Sequence, residues 1–84
     1  MYKIIYRKSA LKSLSKMPRK IAEKFTGSFA LLSVNSEGGL DIKKLEGREG
    51  FRLRIGGYRA IYRKLNEVMV IDVINVGIRG DIYK

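Results

Sequence analysis

The chain contains no cysteine and no histidine in its 84 residues. It therefore offers no disulfide bond, no thiolate or imidazole metal ligand, and no catalytic triad that depends on either residue. Long uncharged apolar runs are absent too, because Lys3, Arg7 and Lys8 interrupt the apolar N-terminus. We expect an untargeted cytoplasmic protein with no membrane span, no metal and no other cofactor.

Acidic residues are also scarce. The chain has 8 Asp and Glu against 18 Lys and Arg, which gives a net charge of +10. Such an excess attracts polyanions, so a nucleic acid or an acidic protein is the expected partner; the alternative is a solvated basic surface. The carboxylates show no paired spacing typical of a metal site, and we interpret them as surface or ion-pair residues: Asp41, Glu46, Glu49, Asp72 and Asp81.

The first half of the chain predicts one strand and two helices. Residues 2–7 alternate between apolar and other side chains, as a half-buried strand does. Ser9 is the predicted N-cap of a short helix that carries Leu11 and Leu14 on one face. Pro18 suits the first turn of a second helix. The apolar stripe of that helix consists of Ile21, Phe25, Phe29 and Leu32. We expect the two helices to form an antiparallel hairpin with this stripe in the core.

The second half of the chain switches to a period of two. Residues 40–47 form a basic connector. Residues 51–55 then alternate between apolar and basic side chains, as in a strand. Gly56-Gly57 forms a two-residue turn, and residues 58–63 form the second strand of the hairpin. Residues 68–76 are apolar on both faces, as in a central strand. These segments predict a three-stranded antiparallel meander.

Together the segments predict a single α+β domain over residues 1–84, a length that suits one core. An N-terminal strand, an antiparallel helical hairpin and the meander follow one another, with the helices packed on one face of a twisted sheet.

The hairpin gathers positive charge on one face. If Gly56 and Gly57 form the turn, Arg54 lies opposite Arg59 and Arg52 lies opposite Ile61. The side chains on that face include Arg52, Arg54, Arg59 and Arg63, whereas Tyr58 and Tyr62 point to the other face and into the core. Directly opposed like charges destabilise a sheet by up to about 1 kcal/mol per pair, so a bound polyanion explains the cluster better than folding does. The alternative is that the arginines spread into solvent.

Two segments resemble a known family. LEGREGFRLRIGGYRAIYR and the terminal VINVGIRGDIYK are similar to the RelE toxins of the RelE/ParE superfamily. The shared pattern is a Gly-containing connector, a basic strand, a G-x-YR-x-x-Y return, and a terminal G-x-R followed by Tyr. The opening YKIIYRKSALKSLSKMP also resembles the first strand and helix of that family, so the similarity covers nearly the whole chain.

The resemblance implies the toxin of a type II toxin–antitoxin system. Such a toxin is a metal-independent endoribonuclease that cuts mRNA on the ribosome, using the ribose 2′-hydroxyl as nucleophile, and a cognate antitoxin silences it. By position, the resemblance implies catalytic roles for Arg59, Arg79 and Tyr83. It places Arg52 and Arg54 on the RNA-binding strand, and the hairpin register adds Arg63.

The sequence departs from the family pattern at the basic strand. Arg52 and Arg54 stand where many relatives have lysine, and because arginine stays protonated, neither can act as a general base. Tyr83 is the candidate base, since nearby cations favour its phenolate. Ile78 stands where many relatives have a basic or aromatic residue. Two alternatives are therefore kept: a ParE-like toxin that inhibits DNA gyrase by protein contact, and a catalytically inactive RNA-binding paralogue.

Overall fold

The structure, a computed structural model, describes residues 1–78. These residues form two helices and five strands. In chain order the elements are β1 (Lys3–Tyr6), α1 (Lys8–Ser15), α2 (Arg19–Ser33), β2 (Asp41–Lys44), β3 (Phe51–Ile55), β4 (Tyr58–Leu65) and β5 (Val70–Ile78). The predicted α+β class is confirmed, with both helices packed on the sheet. No helix within the described part of the chain is both long enough and apolar enough to cross a membrane.

The five strands form one sheet in the order β1-β5-β4-β3-β2. β1 pairs in parallel with β5, and every other pairing is antiparallel. The strand β2 is a correction to the prediction, because residues 40–47 were expected to form only a connector. Its sequence DIKK has one apolar side chain, Ile42, which lies opposite Leu53. A four-residue edge strand with one inward side chain is too short to show a period of two.

The first helix also differs from the prediction. It begins at Lys8 with Arg7 at the N-cap position, and no side chain caps it. Ser9 lies inside the helix instead, and its hydroxyl donates a hydrogen bond to the backbone carbonyl of Ile74 at 3.0 Å. Leu11 is exposed; the buried positions are Ala10 and Leu14, which lie four residues apart and so share one face.

The apolar stripe of α2 supplies much of the core, as predicted. Phe25, Phe29 and Leu32 are fully buried, and Ile21 packs at the margin of the same cluster. Pro18 occupies the N-cap position, directly before the first helical residue.

Tyr62 connects the helices to the sheet. Its ring meets Phe29 edge to face at 5.5 Å and stacks on Phe51 at 5.4 Å. Tyr62 is 2% exposed and Tyr58 packs against the core, so the prediction that both are core residues is confirmed. Burial raises the pKa of Tyr62, which further favours its neutral hydroxyl.

Candidate nucleic-acid interface

The predicted hairpin register is confirmed. Arg54 lies opposite Arg59, Arg52 opposite Ile61, and the turn falls at Gly56-Gly57, where Gly56 has a φ of +58°. Since successive side chains of a strand alternate between faces, the four hairpin arginines lie on the outer face of the sheet, away from the helices. β2 adds to that face, because Asp41 pairs with Arg54 and Lys43 with Arg52. β2 therefore adds one carboxylate and one further cation to the outer face.

Ile61 is fully buried although it lies on this outer face and outside the main core cluster. Its register neighbours are Arg52 on β3 and Asn75 on β5. Arginine side chains can cover apolar surface with their methylene groups while their guanidinium groups stay in contact with water. The side chain of Arg52 is 14% exposed and its Nε is buried. We infer that its methylene groups help to cover Ile61, so Arg52 contributes to packing as well as to charge.

Two carboxylates compensate part of the positive charge. Asp41 accepts from Arg52 Nη2 at 3.3 Å through Oδ1 and contacts Arg54 Nε at 3.1 Å through Oδ2. The interpretation of Asp41 as an ion-pair residue is confirmed. Folding itself therefore supplies a counter-charge to part of the arginine cluster, and a bound polyanion stays a prediction for the rest.

Asp72 plays the corresponding role at the other end of the face. Its Oδ1 accepts from Arg7 Nε at 3.2 Å, and its Oδ2 accepts from Arg7 Nη2 at 2.8 Å and from Arg63 Nη2 at 3.2 Å. The side chain of Asp72 is 10% exposed. The ion-pair interpretation is confirmed here too, and the position of Arg63 is explained by this contact with a nearly buried carboxylate.

We expect Asp72→Asn to lower the free energy of unfolding by about 1.5 to 3 kcal/mol, because the amide carries no negative charge and its nitrogen cannot accept a hydrogen bond from an arginine. The hydrogen bond from Arg7 holds the pKa of Asp72 below its usual range. A lowered pKa stabilises the fold above the unfolded-state pKa of about 3.9, and this contribution is lost as the pH falls through the folded-state pKa. Urea unfolding at neutral and acidic pH measures both effects.

The wild-type chain should therefore lose more stability than Asp72→Asn on acidification. Glu23→Gln is the matched control, since it removes one partner of the exposed pair with Arg19 on α2. It should cost no more than about 0.5 kcal/mol. Equal losses in both variants at neutral pH would contradict a structural role for the Asp72 cluster.

A basic cavity of about 340 Å³ opens beside the Asp41 cluster. Its lining residues are Lys43, Lys44, Leu45, Glu46, Arg48, Arg52 and Arg59. Five of these are basic and one is acidic. Lys43, Lys44 and Arg48 were not among the predicted site residues, although the basic composition of residues 40–47 was a signal for two of them. What the sequence did not show was the strand pairing that brings this segment against Arg52.

The loop after β2 is held in place by glycine. The backbone N–H of Leu45 donates to the carbonyl of Gly50 at 3.0 Å, which closes the loop that carries Arg48. Gly50 has a φ of +127°, and a Cβ there would lie 3.0 Å from the backbone oxygen of Tyr62. A side chain at this position would therefore strain the backbone and push the loop off β4. Gly50 thus helps to fix this wall of the cavity.

The predicted site residues divide into three groups. Arg52 and Arg59 line the cavity together, and Arg54 lies beside it in contact with Asp41. Arg63 is bound to Asp72, farther along β4. Arg79 and Tyr83 lie outside the described residues. The last described residue, Ile78, is exposed and pairs with Tyr58.

The cavity is suited to phosphate. Arginine presents several N–H donors in a planar fork that matches phosphate oxygens, and the lysines add point charges. Arg59 lies opposite Gly77, so β5 places no side chain beside it at that register position. The described lining contains no aromatic ring on which a base could stack. Among residues 1–78, no group of three or more carboxylates is arranged to hold a metal ion.

Known sequences and structures identify the family. The sequence profile described as "ParE toxin of type II toxin-antitoxin system, parDE" matches residues 4–83. The chain belongs to the RelE/ParE superfamily of toxins. The resemblance to this superfamily, which rested mainly on the hairpin segment and the terminal motif, is thereby confirmed.

Solved structures of RelE/ParE toxins share the fold. RelE from the archaeal RelE-RelB complex of Pyrococcus horikoshii OT3 matches with a TM-score of 0.81 and 27% identity, covering 95% of this chain and 97% of that one. The toxin of the RelB-RelE complex from Methanococcus jannaschii gives 0.76 and 27%, with 94% of each chain covered. The intact E. coli RelBE complex gives a TM-score of 0.78 at 24% identity, covering 93% of this chain and 96% of that one, a likeness of fold alone. No match was found among curated protein sequences.

Proposed function

We propose that this toxin is a ribosome-dependent endoribonuclease that cleaves mRNA. The observation that carries the proposal is the cavity in which Arg52 and Arg59, from neighbouring strands, meet Lys43, Lys44 and Arg48. A phosphodiester under attack gains negative charge as it approaches a five-coordinate transition state. Cations that are already in place stabilise this charge more than that of the ground state, which is what accelerates the reaction.

In the proposed reaction the RNA supplies its own nucleophile. The ribose 2′-oxygen loses its proton and forms a bond to the adjacent phosphorus, the bond to the 5′-oxygen breaks, and that oxygen takes up a proton. The products are a 2′,3′-cyclic phosphate and a 5′-hydroxyl. The protein has to hold the chain in line, stabilise the phosphorane and move two protons.

We assign the steps as follows. Arg59 and Arg79 bind the phosphate under attack, and Arg52 and Arg54 bind phosphates along the chain. Tyr83 accepts the proton of the 2′-hydroxyl. Arg63, whose Nη2 donates to Asp72, adds positive potential to the RNA-binding face.

The described lining of the cavity contains groups that could exchange a proton in place of Tyr83. Glu46 is the one carboxylate in its described lining, and Lys43 and Lys44 stand on the neighbouring strand. Arginine cannot fill this role at neutral pH. Glu46 is therefore the second candidate for the base.

The partner that we propose is a cognate antitoxin. The Pyrococcus and Methanococcus relatives were both solved as complexes of RelE with RelB. A domain of 84 residues with a net charge of +10 is suited to an acidic or amphipathic segment that wraps around it and competes with RNA.

Expression of this chain alone is expected to arrest growth and to leave mRNA cut within codons on translating ribosomes. Mapping of RNA 5′ ends after induction measures this. Naked RNA should be cut far more slowly, because the ribosome orients the substrate. Co-expression of the antitoxin encoded beside the toxin gene should restore growth and raise the yield of toxin.

Inhibition of DNA gyrase by protein contact is the second candidate function. The observation that favours it is the match to a family described by its ParE toxin. Gyrase-dependent DNA breaks with intact mRNA would replace the ribonuclease proposal. Binding of RNA without arrest or cleavage would instead identify an inactive RNA-binding paralogue.

A further inference from the structure

The outer face of the sheet contains two clusters of the same composition, and their aspartates differ in accessibility. In each, one aspartate lies between two arginines: Asp72 between Arg7 and Arg63, and Asp41 between Arg52 and Arg54. The side chain of Asp72 is 10% exposed, whereas that of Asp41 is 50% exposed. Water and solutes therefore reach the carboxylate of Asp41 far more readily than that of Asp72.

The hydrogen bonds and ion pairs of Asp41 are also weaker than those of Asp72. Arg7 engages both oxygens of Asp72 with its Nε and Nη2, and the shorter contact is 2.8 Å. Asp41 has no such fork, because each oxygen meets a different arginine, at 3.3 Å and 3.1 Å. Strong charge-assisted contacts of this type are nearer 2.7 to 2.9 Å. The Asp41 contacts are thus the more easily exchanged.

The position of Asp41 explains why a carboxylate is needed there in the free protein. Arg54 lies directly opposite Arg59, and Arg52 lies directly opposite Lys43. Two such like-charge pairs weaken a sheet, and a carboxylate on the edge strand offsets the repulsion. When a phosphate enters the adjoining cavity, its negative charge provides the same compensation, and the carboxylate becomes a competitor.

We propose that Asp41 is an internal counter-ion that occupies Arg52 and Arg54 in the free toxin and is displaced by the phosphodiester backbone of RNA. Asp41 therefore lowers the affinity for RNA and limits binding to ligands that supply several phosphates in register. This inference rests on the proposed function, because it takes RNA as the ligand of the arginine face. In this proposal Asp41 sets the affinity for RNA and takes no part in the chemical step.

Asp41→Asn tests the proposal, since the amide keeps the size of the side chain and removes its charge. The probe is a single-stranded RNA oligonucleotide with 2′-O-methyl riboses, which binds but cannot be cleaved. We expect its Kd at low salt to fall by about three- to ten-fold, the range that loss of one or two exposed ion pairs allows. Glu67→Gln is the matched control, because it makes the same charge change at an exposed position in the turn between β4 and β5. It should shift Kd by less than about two-fold, as expected for a screened, distant charge.

The gain must also depend on the arginines that Asp41 contacts. In a chain carrying Arg52→Ala and Arg54→Ala, adding Asp41→Asn should change Kd by less than about two-fold, the sign of lost coupling in a mutant cycle. Thermal unfolding of each variant checks that the fold is retained.

Three results would overturn the inference. An equal gain in Asp41→Asn and Glu67→Gln would mean that only net charge matters. An unchanged Kd would mean that Asp41 does not compete, and weaker binding by Asp41→Asn would mean that it positions the arginines for RNA. The binding assay needs no cleavage, so the two proposals can fail separately. The predicted gain without cleavage on ribosomes would reject the ribonuclease and leave the counter-ion role supported.

Discussion

Arg59→Ala is expected to slow cleavage of mRNA on programmed ribosomes by about 10²- to 10³-fold in the chemical step, the usual loss when one preorganised donor to a developing oxyanion is removed. Arg59 lines the basic cavity, and its neighbours across the sheet are Arg54 and Gly77. Because Gly77 has no side chain, β5 offers no group at that register position that could replace the guanidinium of Arg59. Single-turnover kinetics with saturating ribosomes measures the effect, because it separates chemistry from binding and product release.

Two further variants show whether the loss is specific to the cavity. Arg59→Lys keeps the charge but loses the planar fork, so it should retain part of the rate and fall between the wild-type chain and Arg59→Ala. Arg19→Ala makes the same change of charge on α2, where the side chain is 93% exposed and pairs with Glu23. It should cleave at the wild-type rate. A similar slowing in Arg19→Ala, or a full rate in Arg59→Ala, would contradict the assignment.

The parts of the fold that the sequence predicted well are those where a periodic pattern runs for several residues. The stripe of α2 and the alternation through the Gly56-Gly57 hairpin placed most buried residues correctly, down to the register of Arg54 against Arg59, although Ile61 is buried on the arginine face as well. In these segments packing and local preference agree, so pattern alone is informative. The strand β2 was missed because only Ile42 of its four residues points to the core.

The site was predicted in part for a similar reason. Arg52 and Arg59 could be assigned to one face because a two-residue turn fixes the hairpin register. Their neighbours Lys43 and Arg48 come from a segment whose position depends on pairing with β3, which composition does not reveal. The sequence likewise showed an excess of positive charge without showing that Asp41 would stand beside it.

The counter-charges change the interpretation of the arginine face. A sheet that opposes Arg54 to Arg59 would be destabilised if those charges were uncompensated, and this was the reason to infer an absent ligand. Asp72 and Asp41 show that the fold itself compensates part of the charge at both ends of the face. The strongest sign of a ligand is therefore the cavity with its excess of cations, and not the opposition of charges as such.

Tyr83→Phe is expected to slow cleavage by roughly 10² to 10⁴ with little change in RNA affinity, if the hydroxyl accepts the proton of the ribose 2′-oxygen. The reason is chemical: the described lining of the cavity is dominated by cations, and arginine cannot act as a base. Cations near a phenol favour its phenolate, which is the form that can accept a proton. Tyr83 lies outside the described residues, so this role rests on the terminal motif. Glu46→Gln is the companion variant, since Glu46 is the carboxylate that lines the cavity.

The two variants together identify the group that moves the proton. If Tyr83 is the base, Tyr83→Phe loses cleavage and Glu46→Gln retains most of it; if Glu46 is the base, the losses are reversed. A tyrosine that only stacks on a base would tolerate Phe, whereas Tyr83→Ala would lose about 1 to 3 kcal/mol of affinity. Full rates in Tyr83→Phe, Tyr83→Ala and Glu46→Gln would remove both residues from the chemistry. Catalysis would then be electrostatic, from the arginines of the cavity, with water or ribosomal RNA accepting the proton.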